Sequence, residues 1–250
     1  MKAMILAAGL GTRLKPLTDN IPKALIEVGK TPLLELVIAK LISAGVKEII
    51  INVFHFAEKI EAFLIRKNYF NIRIALSRER EILGTGGGLK NVTDFFENDQ
   101  PFFLHNVDIL STVNLADMYS FHVKKNALSV LAVQTRKSSR YFLVDEKKFI
   151  CGHEDIPHKR RRLKRTPIGE IQQKAFCGIN VISPAIFEDI SENGNFSIID
   201  IYLKLMARGR DIIAYPADGC YWKDVGKLEM LEEINSDLAN QSIRIDDLLK

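Results

Sequence analysis

Cysteine is scarce in this sequence, and the few cysteines lie far apart. The 250 residues contain three, Cys151, Cys177 and Cys220, and no CxxC pair. Disulfide frameworks are built from paired cysteines, and structural zinc sites from closely spaced ones. The sequence therefore indicates neither disulfides nor structural zinc.

Long apolar runs are also missing. No segment approaches the run of about 18 apolar residues that a membrane span needs. The beginning, MKAMILAAGL, has one lysine and a short apolar run followed at once by GTR. This pattern is typical of a buried first strand rather than a signal peptide. With 47% hydrophobic and 26% charged residues, the composition is that of a globular protein. We expect a cytoplasmic protein.

Positive charge is concentrated in one place instead of being spread along the chain. The formal net charge is +4, and the run HKRRRLKR at 158–165 contains six lysines and arginines. Removing these six charges from +4 leaves −2 over the rest of the chain. The sequence therefore does not predict a nucleic-acid binder. We expect the run to form a solvent-facing basic loop, whose role the sequence leaves open.

Strand and helix patterns alternate in the first half. Apolar runs predict strands at 2–8, 47–54, 71–77 and 101–110. Helical periodicity predicts helices at 31–45, 57–68 and 86–96. The second half mixes both types and ends in a helix from about Leu228. We found no linker, repeat or low-complexity tract. The sequence predicts one domain, 1–250, with an α/β fold: a Rossmann-like, doubly wound, mixed but mostly parallel sheet flanked by helices.

The first predicted strand runs into the segment LAAGLGTRLKPLTDNIPK, residues 6–23. Gly9 and Gly11 are followed by Leu14, where a dinucleotide-binding fingerprint has its third glycine. Small residues after a strand let backbone N–H groups approach phosphates, and Arg13 and Lys23 add positive charge. The segment predicts a phosphate-binding loop. The alternative is an ordinary glycine turn with two surface cations.

A nearby segment, ALIEVGKT at 24–31, differs from a P-loop only at Ala24, which replaces the first glycine. A P-loop wraps phosphates with bare, glycine-rich backbone, whereas residues 25–28 look like a short strand. A P-loop NTPase is therefore disfavoured.

Two further segments end near the predicted ligand edge of the sheet. SREREILGTGGGLKN, residues 77–91, is glycine-rich before a helix and would let backbone approach a base or sugar. Asp108 closes the strand FFLHNVDIL, and Asp224 lies in YWKDVGK. Both carboxylates would suit Mg²⁺, which binds one or two carboxylates together with phosphate oxygens. A strand-end aspartate taken alone is more often a cap or turn residue.

Together these motifs resemble one known family. LAAGLGTRLKPLTDNIPKAL, LGTGGG, NVD and WKDVG occur in this order between residue 1 and about 240, as in the sugar-1-phosphate nucleotidyltransferases. The pattern is most similar to short bacterial N-acetylmuramate-1-phosphate uridylyltransferases and to mannose- and heptose-1-phosphate guanylyltransferases. The resemblance implies an enzyme that transfers a nucleotidyl group from an NTP to a sugar 1-phosphate, giving an NDP-sugar and pyrophosphate, with Mg²⁺ as cofactor.

The resemblance also implies roles for individual residues. Arg13 would hold the β- and γ-phosphates and Lys23 the α-phosphate, while Asp108, also catalytic, would carry Mg²⁺ with Asp224. The residues implied to bind the nucleotide are Leu6, Ala7, Ala8, Gly9, Gly11, Thr12, Glu79, Thr85, Gly86 and Gly87. The residues implied to bind the sugar are Asn106, Phe176, Gly178 and Asn180. Residues 1 to about 110 would form an NTP-binding half, and about 111–250 a sugar-phosphate half.

Two departures from the family pattern concern the sugar. The stretch CGHEDIPHKRRRLKR stands where many relatives have an acidic EKP element, and Lys227 replaces the usual threonine after DVG. The base, the sugar and the oligomeric state stay open, although a helical C-terminal tail would suit a homodimer.

Two other functions are compatible with the sequence. One is a CTP-dependent cytidylyltransferase acting on a phosphorylated alcohol such as phosphocholine, for which Tyr221 and Trp222 would offer aromatic faces. The other is a non-catalytic, nucleotide-sensing subunit with the same fold. The presence of Arg13, Lys23 and both aspartates favours an enzyme.

Overall fold

The structure is a computed structural model that describes residues 1–97 and 100–250. The strands are β1 (Lys2–Leu6), β2 (Glu27–Val28), β3 (Thr31–Pro32), β4 (Glu48–Val53), β5 (Arg73–Arg78), β6 (Phe102–Asn106), β7 (Ile109–Ser111), β8 (Ser129–Gln134), β9 (Arg140–Val144), β10 (Ile150–Asp155), β11 (Arg160–Leu163), β12 (Gln172–Ile182), β13 (Ile212–Pro216) and β14 (Trp222–Asp224). The α-helices are α1 (Leu33–Ser43), α2 (Ala57–Arg66), α3 (Gly84–Lys90), α4 (Leu115–Lys125), α5 (Ile198–Ala207), α6 (Leu228–Ala239) and α7 (Ile245–Leu248).

The chain divides into two compact units. The first comprises residues 1–82, 104–116 and 220–250, and the second comprises residues 83–103 and 117–219. Each unit is therefore built from segments that are far apart in the sequence. The assignment of NTP binding to residues 1 to about 110 and of sugar-phosphate binding to about 111–250 stays a prediction.

Parallel strands organise the first unit. β4 pairs in parallel with β1 and with β5, so that Ile51 lies between Ile5 and Leu76. The order β6-β1-β4-β5 places the carboxyl ends of β1, β4 and β5 at one edge, which is where ligands bind in open α/β sheets. Separately, β7 pairs with β14 and β2 with β3, both antiparallel. Helix α1 buries four of the five apolar positions that its helical period predicts, Leu34, Val37, Ile38 and Leu41, whereas the fifth, Ile42, is only partly buried.

Antiparallel pairs dominate the second unit. The order β11-β10-β9-β12 is antiparallel throughout, and β8 pairs antiparallel with β12 and parallel with β13. The core of this unit includes a stack of Phe96, Phe102 and Phe187, whose ring centroids lie 3.8 to 6.1 Å apart. The predicted fold class, a mixed sheet with flanking helices, is confirmed, with the parallel pairs concentrated in the first unit.

The predicted strand at 101–110 is interrupted in the structure. β6 ends at Asn106, β7 begins at Ile109, and Val107 and Asp108 form a turn between them. The whole run is apolar enough to be buried, so its sequence pattern does not reveal the turn. The consequence is that Asp108 occupies a turn between two strands instead of lying within one.

The prediction that the basic run 158–165 is a loop is wrong over its central residues. Arg160–Leu163 form β11, which pairs with β10 and aligns Arg161 with Glu154. The turn is closed by a 3.0 Å hydrogen bond from the Lys159 N–H to the Ile156 carbonyl oxygen. The pairing with β10 outweighs the weak strand propensity of a charged run. Arg160 and Arg161 remain solvent-exposed, as predicted.

No helix in the described part of the chain combines the length and apolar character needed to cross a bilayer.

Candidate active site

The loop that follows β1 is held by a left-handed glycine. Gly11 has φ +66°, and a short 3-10 helix, Thr12–Leu14, begins after it. The Thr18 hydroxyl donates a 2.9 Å hydrogen bond to the Gly11 carbonyl oxygen. A Cβ at position 11 would lie 2.9 Å from Thr18 Cγ2 and 3.2 Å from Lys23 Cβ. Position 11 therefore needs glycine for both conformation and space, and the turn packs against the residue that carries the Lys23 ammonium.

Gly9 lies in a different environment within the same loop. It is solvent-exposed, and apart from its chain neighbours no heavy atom among the described residues lies within 4 Å of an ideal Cβ there. Internal packing thus gives no reason for glycine at this position. A bare backbone facing open space is what close approach of a phosphate requires.

Arg13, Lys23 and Asp224 converge on Gly226. An ideal Cβ at Gly226 would lie 2.7 Å from Asp224 Oδ1, 3.0 Å from Arg13 Nη2 and 3.4 Å from Lys23 Nζ. Two cations and one carboxylate therefore surround a buried point that a side chain at residue 226 would occupy. All of these residues belong to the first unit.

The Lys23 ammonium forms an ion pair with Asp108 Oδ2. The two side chains are largely buried, with exposed fractions of 11% and 19%, so each needs a partner of opposite charge. Asp108 is held by its backbone as well, because its carbonyl oxygen accepts a 2.8 Å hydrogen bond from the Val225 N–H. In the β7–β14 pair, Asp224 aligns with Ile109. This pairing brings the segments of both aspartates together, and their carboxylates are the donors that could hold a divalent metal.

A buried chain of hydrogen bonds connects the ends of β1, β4 and β5. The Ala7 N–H donates to Asn52 Oδ1 at 2.8 Å, and Asn52 Nδ2 donates to Glu79 Oε1 at 2.7 Å. The Glu79 N–H donates to the Val53 carbonyl oxygen at 2.8 Å. Asn52 and Glu79 are 2% and 7% exposed. The structure thereby links two residues predicted to bind the nucleotide, Ala7 and Glu79.

Two buried basic side chains also lie in the first unit. Burial lowers the pKa of Lys40 to about 8, and its ammonium donates to the carbonyl oxygens of Ser111 and Lys250, both at 2.8 Å. Burial also lowers the pKa of His105 to about 4, so this imidazole is neutral at neutral pH. The Lys40 ammonium is thus compensated by main-chain carbonyl oxygens.

The predicted nucleotide residues of the second unit, Thr85, Gly86 and Gly87, pack against the start of α5. The Gly86 N–H donates to the Phe196 carbonyl oxygen at 2.9 Å, and the Ile198 N–H donates to Thr85 Oγ1 at 3.0 Å. A Cβ at Gly86 would lie 2.5 Å from Phe196 Cδ2, and one at Gly87 2.2 Å from the Gly194 carbonyl oxygen. Internal packing accounts for both glycines, and their contact with a nucleotide stays a prediction.

The predicted sugar residues of the second unit lie on β12, at a bulge. Phe176 aligns with Val133, but four residues later Asn180 aligns with Leu131. Gly178, with φ +75°, lies inside the bulge. Asn180 is 1% exposed, and its side-chain oxygen accepts a 3.2 Å hydrogen bond from the Tyr202 hydroxyl. The fourth predicted sugar residue, Asn106, ends β6 in the first unit. The role of all four stays a prediction.

Comparison with known proteins identifies the family. Residues 2–241 match the family described as nucleotidyl transferase. The chain belongs to this family. The match covers almost the whole sequence and includes both units, and it confirms the family resemblance drawn from the sequence motifs.

Curated members of the nucleotidyl transferase family give the same result. The chain is 30% identical over 230 residues to a mannose-1-phosphate guanyltransferase of Yarrowia lipolytica, and 30% identical to a mannose-1-phosphate guanylyltransferase catalytic subunit beta of Danio rerio. These alignments cover 91% of this chain and 61% of each relative. The chain thus spans about three fifths of the length of these relatives.

Solved structures share the fold at lower identity. A glucose-1-phosphate thymidylyltransferase described as putative, from Bacillus anthracis, superposes with a TM-score of 0.79 at 22% identity over 94% of both chains. A UDP-glucose pyrophosphorylase bound to UDP-glucose superposes with a TM-score of 0.76 at 20% identity, covering 96% of this chain and 98% of that one. At these identities the likeness establishes the fold.

Sequence reasoning missed two residues of the site, Asn52 and Gly226. Asn52 is the one polar residue within the apolar run IIINVF of β4, and that interruption was the available signal. Gly226 belongs to the recognised DVG element, but its sequence position does not reveal that Arg13, Lys23 and Asp224 surround it in the fold.

Proposed function

We propose that this chain transfers a nucleotidyl group from an NTP to a sugar 1-phosphate and releases pyrophosphate. The observation that carries the proposal is the convergence of Arg13, Lys23 and Asp224 on Gly226, with Asp108 paired to Lys23. Two cations suit a triphosphate, and two carboxylates suit a divalent metal. Membership of the nucleotidyl transferase family supports the same reaction.

In the proposed reaction a phosphate oxygen of the sugar 1-phosphate attacks the α-phosphorus of the NTP. The new P–O bond forms as the bond to the β-phosphate oxygen breaks, and pyrophosphate leaves with that electron pair. Because no covalent enzyme intermediate is needed, catalysis consists mainly of positioning and charge neutralisation. Lys23 would hold the α-phosphate and Arg13 the β- and γ-phosphates.

The Lys23–Asp108 ion pair accounts for how two largely buried charges are tolerated beside the phosphate loop. Each buried charge compensates the other, so neither is left unpaired in a largely dehydrated site. When the NTP binds, Lys23 exchanges the carboxylate for the α-phosphate, and its charge stays compensated. Asp108 would then be available, with Asp224, to hold a divalent metal.

Asp108 and Asp224 fit Mg²⁺ as the metal. Mg²⁺ is usually bound in proteins by one or two carboxylates together with substrate phosphates and water. Among the described residues, no group of three or more histidine, cysteine, aspartate or glutamate side chains is placed to hold a metal ion. When bound, Mg²⁺ would neutralise charge on the phosphate oxygens.

As substrates we propose GTP and mannose 1-phosphate or a similar hexose 1-phosphate. Relatives at 30% identity carry the name mannose-1-phosphate guanyltransferase. The buried carboxylate of Glu79 supports the base assignment, since an ionised carboxylate only accepts hydrogen bonds. Guanine presents two N–H donors, at N1 and N2, on one edge. The sequence departures at the EKP element and at Lys227 both concern the sugar side, so the test below includes a panel of sugar 1-phosphates.

A phosphocholine cytidylyltransferase is not favoured. The relatives at 30% identity are named for guanylyl transfer to mannose 1-phosphate, a sugar phosphate rather than a phosphorylated amino alcohol. A non-catalytic subunit would tolerate loss of the charged residues, whereas all of them are present. A cytoplasmic location, the absence of a nucleic-acid partner and a homodimer stay predictions.

The test is pyrophosphate release with Mg²⁺, in which four NTPs are crossed with a panel of sugar 1-phosphates and phosphocholine. We expect a signal that requires one NTP, GTP, and one hexose 1-phosphate. Release with phosphocholine alone would contradict the proposal. Nucleotide binding without release across the panel would favour the non-catalytic alternative.

The metal assignment has its own check. Asp224→Asn should raise the Mg²⁺ concentration needed for half-maximal activity, by about tenfold if it removes one charged ligand. Asp237→Asn is the matched control, because Asp237 on α6 bonds Tyr221, which directly precedes β14, but lies outside the proposed metal site. An unchanged Mg²⁺ requirement in Asp224→Asn would remove this residue from the site.

A further inference from the structure

Asn52 is a polar side chain in an otherwise apolar strand. β4 reads EIIINV, and Asn52 is 2% exposed. Burying an amide is costly unless its donors and acceptor find partners. Asn52 is the fifth of the six residues of β4. An aliphatic side chain would cost less to bury there, so the amide calls for a reason beyond packing.

The contacts of Asn52 fix the orientation of its amide. Its oxygen accepts from the Ala7 N–H at 2.8 Å, and its nitrogen donates to Glu79 Oε1 at 2.7 Å. The Ala7 N–H can only donate and an ionised carboxylate can only accept, so a flipped amide would lose both hydrogen bonds. The main chain of Ala7 thus determines that residue 52 presents a donor to residue 79.

We infer that Asn52 is a positioning residue that acts through Glu79 to select the nucleobase. The inference rests on the proposed function, in which Glu79 faces the base of the NTP. Asn52 engages one carboxylate oxygen and thereby sets which atom of residue 79 is turned toward the base. An oxygen in that place accepts from the N1–H and N2–H donors of guanine and disfavours bases that present an acceptor.

A purely structural role for this pair makes a different prediction. Asn52 and Glu79 would then only satisfy each other's buried polar groups, and any pair with complementary donor and acceptor would serve equally well. An experiment can distinguish the positioning role from the structural role. It must change the atom of residue 79 that faces the base and keep the hydrogen bond between residues 79 and 52.

Two variants achieve this separation. In Glu79→Gln, the Asn52 nitrogen still donates to the side-chain oxygen of residue 79, which leaves the amide nitrogen, a donor, for the base. In Asn52→Asp/Glu79→Gln, residue 52 becomes an acceptor that still receives the Ala7 N–H. The residue 79 amide then turns its nitrogen toward residue 52 and its oxygen toward the base. Both variants keep a hydrogen bond between positions 52 and 79.

The experiment compares wild type and both variants with GTP and with UTP. It measures kcat and KM from pyrophosphate release with mannose 1-phosphate, calorimetric affinity for each nucleotide with Mg²⁺, and Tm. We expect Glu79→Gln to lose the preference for GTP over UTP by about tenfold or more, because a donor replaces the one acceptor oxygen at the base. Adding Asn52→Asp should restore a preference for GTP of about tenfold, with the change in KM rather than kcat.

Equal GTP-to-UTP ratios in the two variants would overturn the inference, since residue 52 would then have no control over base choice. A wild-type preference for UTP would overturn it as well, while leaving nucleotidyl transfer intact. If the wild type binds nucleotides but releases no pyrophosphate, the proposed reaction fails. The affinity ratios then still decide the role of Asn52. Tm values near that of the wild type are expected for both variants, because the buried hydrogen bond is conserved.

Discussion

The glycines at 9 and 11 and the glycines at 84–88 look alike in sequence but face different surroundings. Gly9 faces open space, whereas Gly86 and Gly87 are pressed against the backbone and side chains before α5. At Gly9 the absent side chain leaves backbone accessible, whereas Gly11 in the same segment is packed against Thr18 and Lys23. In the second segment the absent side chains permit close packing of the chain on itself. A glycine-rich sequence alone does not distinguish a ligand-binding loop from a segment that needs glycine for close packing. The space around the position of an added Cβ atom does distinguish them.

The largest effect should come from the charge beside the first segment. Lys23→Ala should lower kcat by about a hundredfold or more, as expected when a preorganised donor at developing charge is removed. Steady-state pyrophosphate release measures it. Lys30→Ala is the matched control, since a P-loop would need that lysine, and its kcat should stay within about threefold of wild type. A loss of less than threefold in Lys23→Ala would contradict the role of Lys23.

A substitution in the second glycine segment, residues 84–88, should lower the stability of the fold more than it lowers activity. A Cβ at Gly87 would lie 2.2 Å from the Gly194 carbonyl oxygen, so the backbone must shift in Gly87→Ala. We expect a loss of about 1–3 kcal/mol in the free energy of unfolding, the usual range for overpacking, measured by chemical denaturation. Unchanged stability together with a raised nucleotide KM would show that this segment serves the ligand instead.

The corresponding substitution in the first segment, Gly9→Ala, should change nucleotide binding and leave stability almost unchanged. Gly9→Ala meets no heavy atom within 4 Å among the described residues other than its chain neighbours, so its free energy of unfolding should change by less than about 0.5 kcal/mol. Its KM for the NTP should rise about tenfold, because the methyl group occupies space reserved for the nucleotide. A nucleotide KM equal to that of wild type would place Gly9 outside the binding surface.

A smaller effect is expected from a buried charge outside both segments. The pKa of Lys40 is lowered from its ordinary 10.5 to about 8 by burial, so between these pH values the unfolded chain binds the proton more tightly than the folded chain. The free energy of unfolding should therefore rise with pH over this interval. We expect a rise of about 1 kcal/mol over the first pH unit above the pKa of the folded state. Denaturation of wild type and Lys40→Met at several pH values measures the rise. A rise of equal size in Lys40→Met would exclude Lys40 as its cause.

The fold and the main charged residues were predictable because they depend on local pattern. The apolar runs located β1 and β4, and the motifs at Arg13, Lys23, Asp108 and Asp224 followed strand ends. The pairing of β7 with β14 was not predictable, since it joins segments more than a hundred residues apart and each has only three residues. The strand Arg160–Leu163 was not predictable either, because this charged segment becomes a strand only through its pairing with β10. Asn52 was missed because its role exists only through Ala7 and Glu79.

The central claim is that the loop from Gly9 to Lys23 presents the α-phosphate of an NTP to a sugar phosphate. The most direct test follows two samples of GTP, one labelled at the α-phosphate and one at the γ-phosphate, during reaction with mannose 1-phosphate and Mg²⁺. The account predicts that the α-label appears in the nucleotide-sugar and the γ-label in pyrophosphate. A γ-label found in inorganic phosphate or on the sugar would mean attack at the γ-phosphorus and would contradict it.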